Sequence, residues 1–177
     1  MHTEKQCLIT KDGIFIDNIL FASVSTLVNF NSIYDLLGIS YTKFYKMDSL
    51  SQLCFIATEL LLQNTDFHSL DDYEKCIYIE TQDGCKYSDI DFWASTAELP
   101  SPAHFVYTLP NVMIGEICIR HKIKGENFCM VTEIFSIEQQ IDSIKNVLLG
   151  RAKKCIHGWI NFHPENFEAR LFLSTLE

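Results

Sequence analysis

The stretch SPAHFVYTLPNVMIGEICIRHKIKGE, Ser101 to Glu126, decides how this chain folds, because it runs from a helix-entry segment through an amphipathic helix to a glycine turn. Pro110 suits an early helical position, where its missing N–H has no intrahelical partner to lose. Apolar side chains then recur at helical spacing through Asn111 to His121. Gly115 inside that helix costs roughly 1 kcal/mol against alanine, so it predicts a close approach by another backbone element. The apolar run FCMV follows, and Glu126 to Glu133 is expected to be a buried strand.

Upstream, Asp48 or Ser49 can cap a helix on which Leu50, Leu53, Cys54, Ala57, Leu60 and Leu61 share one face. Lys75 to Thr81, KCIYIET, is β-branched and aromatic and reads as a strand. Cys7 to Asn18 holds two short strand-like runs around Lys11-Asp12-Gly13, whereas Phe21 to Ser40 is mixed and reads as irregular. Ser88 to Thr96 can form a short helix that Pro100 and Pro102 break. Downstream, Ser136 to Leu149 carries Ile137, Ile141, Ile144, Val147 and Leu148 at helical spacing and stops at Gly150. Lys154 to Phe162 and Phe167 to Thr175 read as two final strands around His163-Pro164-Glu165-Asn166. Strands alternating with helices predict an α/β sheet with helices on both faces.

The length of 177 residues, 47% of them apolar, supports one substantial core, and a single domain over 1–177 is expected. No apolar run reaches the roughly 18–20 residues of a membrane span, and the polar N-terminus lacks a signal-peptide pattern, so a cytoplasmic protein with no membrane partner is expected. A net charge of −9 disfavours nucleic acid. The seven cysteines contain no C-x-x-C spacing, so they read as buried small hydrophobes rather than metal ligands. No phosphate-cradling or dinucleotide-binding glycine motif and no G-x-S-x-G occurs; neither metal nor cofactor is expected.

Ser101-Pro102, Tyr107-Thr108-Leu109-Pro110-Asn111, Gly115-Glu116-Ile117-x-Ile119-Arg120 and Lys124-Gly125-x-Asn127 together resemble the N-terminal half of the β-ketoacyl-acyl-carrier-protein synthases. Lys46-Met47-Asp48-x-x-Ser51-x-Leu53-x-x-x-Ala57 resembles a helix of the same family. The resemblance implies one half of a thiolase-like fold, with a mixed five-stranded sheet and the helix from Ser136 buried on several sides. In the family a strand ends at a nucleophilic cysteine on a helix N-terminus, whose positive end favours the thiolate. Here Ile134 or Phe135 occupies that position, Ser136 reads as a helix cap, and Cys129 lies too early, in mid-strand. The family's two catalytic histidines belong to its C-terminal half, which has no counterpart in this length.

Resemblance therefore implies a non-catalytic, chain-length-factor-like partner of an active synthase in fatty-acid, polyketide or aryl-polyene-type biosynthesis. A stand-alone module that binds an acyl chain or acyl carrier protein is the alternative. Phe105, Tyr107, Pro110, Asn111, Met130 and Phe135 are the candidates for acyl-pocket or interface positions, and Arg120, Lys122 and Lys124 for docking an acidic carrier protein. The unprotected strand Asn127 to Glu133 implies a homodimer, or a heterodimer with a full-length synthase.

Overall fold

The computed structural model describes residues 1–23, 29–147 and 150–176. Strands β1 (His2–Thr10), β2 (Gly13–Ile16), β3 (Ile19–Ser23), β4 (Lys75–Thr81), β5 (Asn127–Val131), β6 (Lys154–His163) and β7 (Asn166–Thr175) form one mixed sheet in the order β3-β2-β1-β7-β6-β4-β5. β4 runs parallel to β5 and β6, and the remaining pairs are antiparallel. The helices are α1 (Phe30–Leu36), α2 (Ser49–Leu62), α3 (Lys86–Ser95), α4 (Pro102–Val106), α5 (Asn111–His121) and α6 (Ile137–Val147).

The sheet has seven strands rather than the five expected. Cys7 to Asn18 contributes two strands, and β3 adds another by a two-residue turn. Asp17 and Asn18 both have positive φ there, at 51° and 64°, which gives the turn the twist a tight hairpin needs. The Asp17 carboxylate accepts from Gln6 N at 2.9 Å and ties the turn to β1. β3 was invisible in the sequence because its ILFAS is largely exposed and shows no apolar alternation. The expected irregular stretch from Phe21 also contains α1, which Asn29 caps by accepting from Ser32 N at 3.0 Å; residues 24–28 lie outside the described part.

Side-chain alternation splits the sheet into two faces. Ile77 and Ile79 of β4, Ile156 and Ile160 of β6, and Leu171 and Leu173 of β7 face one core with α1, α2 and α5. α2 is almost wholly buried, consistent with apolar residues all round it. Its first turn is held by Asp48, which accepts from Ser51 N at 2.9 Å. Cys76, Tyr78 and Cys155 face the other side, covered by Ile144 of α6.

Three local expectations are corrected. α6 is not buried on several sides: only Gln140 and Ile144 are buried, and α2 takes the central place. The expected positions Leu148 and Leu149 lie outside the described residues. β5 is not a buried strand but an edge strand with Asn127, Met130 and Val131 exposed. Gly115 has no neighbour within 4 Å of an added Cβ, so no backbone approaches it. Gly115→Ala is accordingly expected to stabilise the chain by about 0.5–1 kcal/mol through helix propensity, read as a higher urea midpoint with unchanged slope.

α6 is anchored by a buried polar chain. Gln140 Nε2 donates to Gly158 O at 3.0 Å, which leaves Gln140 Oε1 to accept from His157 Nδ1 at 2.9 Å. His157 therefore carries its proton on Nδ1, and Nε2 accepts from Ser174 Oγ at 2.9 Å. Glu80, also buried, joins through Gln140, and burial raises its carboxyl pKa.

Candidate functional site

The C-terminal ends of the parallel strands β4, β5 and β6 converge on the loop between β5 and α6, where the resemblance places a nucleophile. Ser136 opens α6: its Oγ accepts from Gln139 N at 3.4 Å and its carbonyl from Gln140 N at 2.9 Å. The hydroxyl oxygen is thus turned onto the helix's own free N–H groups. Ile134 projects into solvent at 79% exposure. Phe135 packs on Trp159 with ring centroids 5.9 Å apart, beneath the Arg170 guanidinium at 5.9 Å. Neither side chain can attack a carbonyl.

The nearby thiols are held protonated. Burial pushes Cys129 up to about 11, and its Sγ donates to Pro110 O at 3.6 Å. Cys118 is raised to about 11 by burial, as is Cys85, where the Asp89 carboxylate adds to the effect. Cys85 Sγ donates to Thr108 O at 2.7 Å. Desolvation disfavours the thiolate at each site, the opposite of what a nucleophile requires. All seven cysteines are free.

A cleft of about 440 Å³ lies at the same end of the sheet. Met47, Leu50, Tyr107 and Phe162 give it apolar walls, while Asp48, Ser88, Asp91 and His104 supply polar groups. Asp48 accepts from Ser88 Oγ as well as capping α2, so one carboxylate fixes the starts of two helices. Burial, with help from Glu116 and Asp48, pushes Tyr107 up to about 12, leaving its hydroxyl protonated.

Of the six candidate pocket or interface residues, Tyr107 lines this cleft. Phe105 packs at a tilt of 57° against Phe92, ring centroids 5.3 Å apart, and is half exposed. Pro110 lies under Gly84, Asn111 and Met130 are exposed, and Phe135 sits on the far side with Trp159. The sequence reading missed Asp48, Cys85, Ser88, His104 and Phe162 as cleft residues because they come from four separate segments.

The candidate docking cations are largely engaged within the chain. Arg120 Nε donates to Glu59 Oε1 at 2.7 Å and lies over the Tyr41 ring; Lys124 pairs with Asp72 at 3.0 Å. Lys122 is exposed at the left-handed C-cap of α5. Lys153 pairs with Glu74 at 2.6 Å and Lys154 with Glu4 at 2.7 Å. Among the described residues no three His, Cys, Asp or Glu side chains gather as a metal cluster, and no helix is long and apolar enough to cross a membrane.

No family model matches the sequence, and no curated protein matches it. Solved structures do match in fold. A chain of a ketosynthase in complex with its chain length factor from Xenorhabdus doucetiae aligns at 13% identity and TM-score 0.64, over 99% of this chain and 79% of that one. A chain of the ishigamide ketosynthase/chain length factor aligns at 17% identity and TM-score 0.68, over 99% of this chain and 62% of that one. A third lies in a type II PKS acyl-carrier protein in complex with its ketosynthase bound to the hexaketide, at 15% identity and TM-score 0.61, covering 98% of this chain and 62% of that one. This chain thus spans less than two thirds of the second and third matches. At such identities the likeness is one of architecture: the chain has the thiolase-like α/β fold that ketosynthase and chain-length-factor complexes share.

Proposed function

We propose that this protein is a non-catalytic ketosynthase-like subunit that pairs with an active β-ketoacyl-acyl-carrier-protein synthase, as a chain-length factor does. The observation that carries the reading is the β5–α6 junction, where Ile134 and Phe135 stand in place of a nucleophile beside an open strand edge. The fold likeness to ketosynthase and chain-length-factor complexes supports it.

The edge itself can receive a strand. Glu126 O and Thr132 N both bond to β4, so even-numbered β5 residues direct their backbone groups inward and Val131 directs its N–H outward. Val131→Pro removes an outward donor without touching the β4 ladder. In the test, the purified chain is mixed with the synthase encoded by the same genome and with acyl- and malonyl-carrier protein. The chain alone is expected to give no 3-oxoacyl product and no acylation of Ser136 or Cys129, because condensation needs thiolate and histidines together. The synthase is expected to bind the wild type and to lose at least tenfold in affinity for Val131→Pro. Product formation by the chain alone sinks the non-catalytic reading.

The cleft supports a second reading, a stand-alone module that holds an acyl chain, since its volume and mixed lining suit a small ligand. Saturable binding of acyl-carrier protein in the absence of any synthase favours that alternative.

A further inference from the structure

Two of the seven cysteines stand opposite one another. Cys76 of β4 and Cys155 of β6 are register partners on adjacent parallel strands, and both side chains lie on the face that α6 covers. The other strand cysteines face apolar residues: Cys7 lies between Ile16 and Leu171, and Cys129 beside Ile79. Adjacent strands run about 4.8 Å apart, within the roughly 4.4–6.8 Å between Cα atoms that a disulfide spans. Each thiol donates to a β6 carbonyl at 3.5 Å, Cys76 Sγ to Lys154 O and Cys155 Sγ to Ile156 O. Burial raises the Cys155 thiol well above its ordinary range, and the Cys76 side chain, within hydrogen-bonding reach, raises it further. The folded pair is thus placed for a bond between its sulfurs and is held reduced by its cover.

That cover is thin. Ile144 of α6 and Ala152 are buried over the pair, while Met1, Phe128 and Leu176 are themselves only partly buried. Phe128 belongs to the edge strand β5. α6 is held by Ile144, by the Gln140 bond to Gly158 O and by Ser143 against the Tyr78 hydroxyl, and the rest of its length lies outside the core. An element with so few buried contacts opens locally at far less cost than the whole chain unfolds. We propose that Cys76 and Cys155 are a redox pair, which a small-molecule disulfide such as oxidised glutathione converts to an intramolecular disulfide when α6 lifts. One cysteine thiolate, ionised once water reaches it, attacks a glutathione sulfur; that S–S bond breaks and a glutathione thiolate leaves with the electron pair. The second protein thiolate then attacks the protein sulfur of the mixed disulfide and releases the second glutathione. Two cysteine thiols are oxidised, one glutathione disulfide is reduced, and the two protons end on the glutathione thiols. The new bond staples β4 to β6 and closes the segment holding α3, α4, α5, β5 and α6 into one covalent loop, which restricts the unfolded chain.

In the test, the reduced, folded chain is incubated with oxidised glutathione in mildly alkaline buffer and mapped by mass spectrometry of non-reduced peptides. The peptides carrying Cys76 and Cys155 are expected to be linked, dithiothreitol to separate them, and the oxidised chain to unfold at a higher urea midpoint than the reduced one. Cys76→Ala leaves a glutathione adduct on Cys155 in place of the cross-link, and Cys155→Ala leaves one on Cys76. Gln140→Ala, which loses the bond to Gly158 O, cross-links about tenfold faster or more. Should that variant fail to fold, wild type in urea below its unfolding transition gives the same reading, with cross-linking accelerated before the near-ultraviolet circular dichroism falls. Adducts confined to the partly exposed Cys118 and Cys129, with Cys76 and Cys155 still reduced, overturn the proposal. A folded Gln140→Ala that cross-links no faster than wild type, or cross-linking that only follows the unfolded fraction, overturns it as well and leaves the two thiols as buried small hydrophobes.

Discussion

Gly158→Ala is expected to leave the chain without a cooperative unfolding transition. Gly158 lies in the middle of β6, paired across the ladder with Leu171 of β7, at φ +147°. L residues rarely adopt that conformation, and strain of this kind costs of the order of 1–3 kcal/mol by itself. The space is closed as well. An added Cβ would sit 2.0 Å from Arg170 O and 3.0 Å from the Leu171 Cα, both backbone atoms that no rotamer change can move. Relief requires β6 and β7 to separate, and Gly158 O also receives the Gln140 amide that anchors α6. The combined cost, above about 4 kcal/mol, is comparable with the whole stability of a small domain. Urea unfolding followed by circular dichroism reads it, with Gly115→Ala as the control for inserting the same methyl where space is open. A cooperative transition within about 1 kcal/mol of wild type would show that the β6–β7 ladder gives way more easily than its geometry indicates.

Acidification is expected to have an effect of comparable size, through His157 and His121. Burial lowers His157 to about 4. His121 is lowered to about 3, first by burial and then by His68, Arg120 and Lys75. His121 stacks on His68 at 5.3 Å, and the Glu59 carboxylate, 3.5 Å from its Nε2, is already held by Arg120. Both folded pKa values lie below the unfolded value near 6.5. The unfolded chain therefore takes up protons first, and stability present above about pH 6.5 is lost as the pH falls toward 4 and then 3. At about 1.4 kcal/mol per unit, the two histidines together remove on the order of 8 kcal/mol once both are protonated.

Other groups modify the curve. Glu80 acts oppositely: burial raises its folded pKa, so the native state takes its proton early and recovers a little stability. Asp66, lowered by Lys154, and Asp72, lowered chiefly by Lys124, lose their contributions only below the ordinary carboxylate range. Unfolding free energies measured from about pH 7 to 4 should fall steadily, and His157→Gln with His121→Asn should flatten that slope whatever they do to stability at neutral pH. A wild-type slope of zero between about pH 6.5 and 4.5 would contradict the burial of both rings.

The elements fixed by local physics were legible in the sequence. β4 spans Lys75–Thr81 and α5 spans Asn111–His121 as read, because a β-branched run and a helical apolar stripe with Pro110 at its entrance each state their own conformation. α2 begins after Asp48 as its capping side chain required. One point of chemistry was also legible, since it depends on residue type alone: Ile134 and Phe135 cannot supply a thiolate in any fold.

What the sequence left undetermined depends on what each element packs against. α2 and α6 both show apolar faces at helical spacing, yet α2 is enclosed by the sheet, α1 and α5, while α6 lies on the other face and keeps its outer side in solvent. FCMV looked buried by composition, but its place at the end of the strand order makes it an edge. Gly115 and Gly158 are the same residue type inside regular elements. One faces open space and the other a carbonyl oxygen, and only the neighbouring strand distinguishes them. Arg120 and Lys124 were docking candidates in the sequence, and their partners were not visible there because Glu59 lies 61 positions and Asp72 lies 52 positions away along the chain, distances that folding removes. Residue chemistry and short-range periodicity belong to the sequence; burial, edge position and charge pairing are properties of the neighbours, and those exist only once the chain has closed on itself.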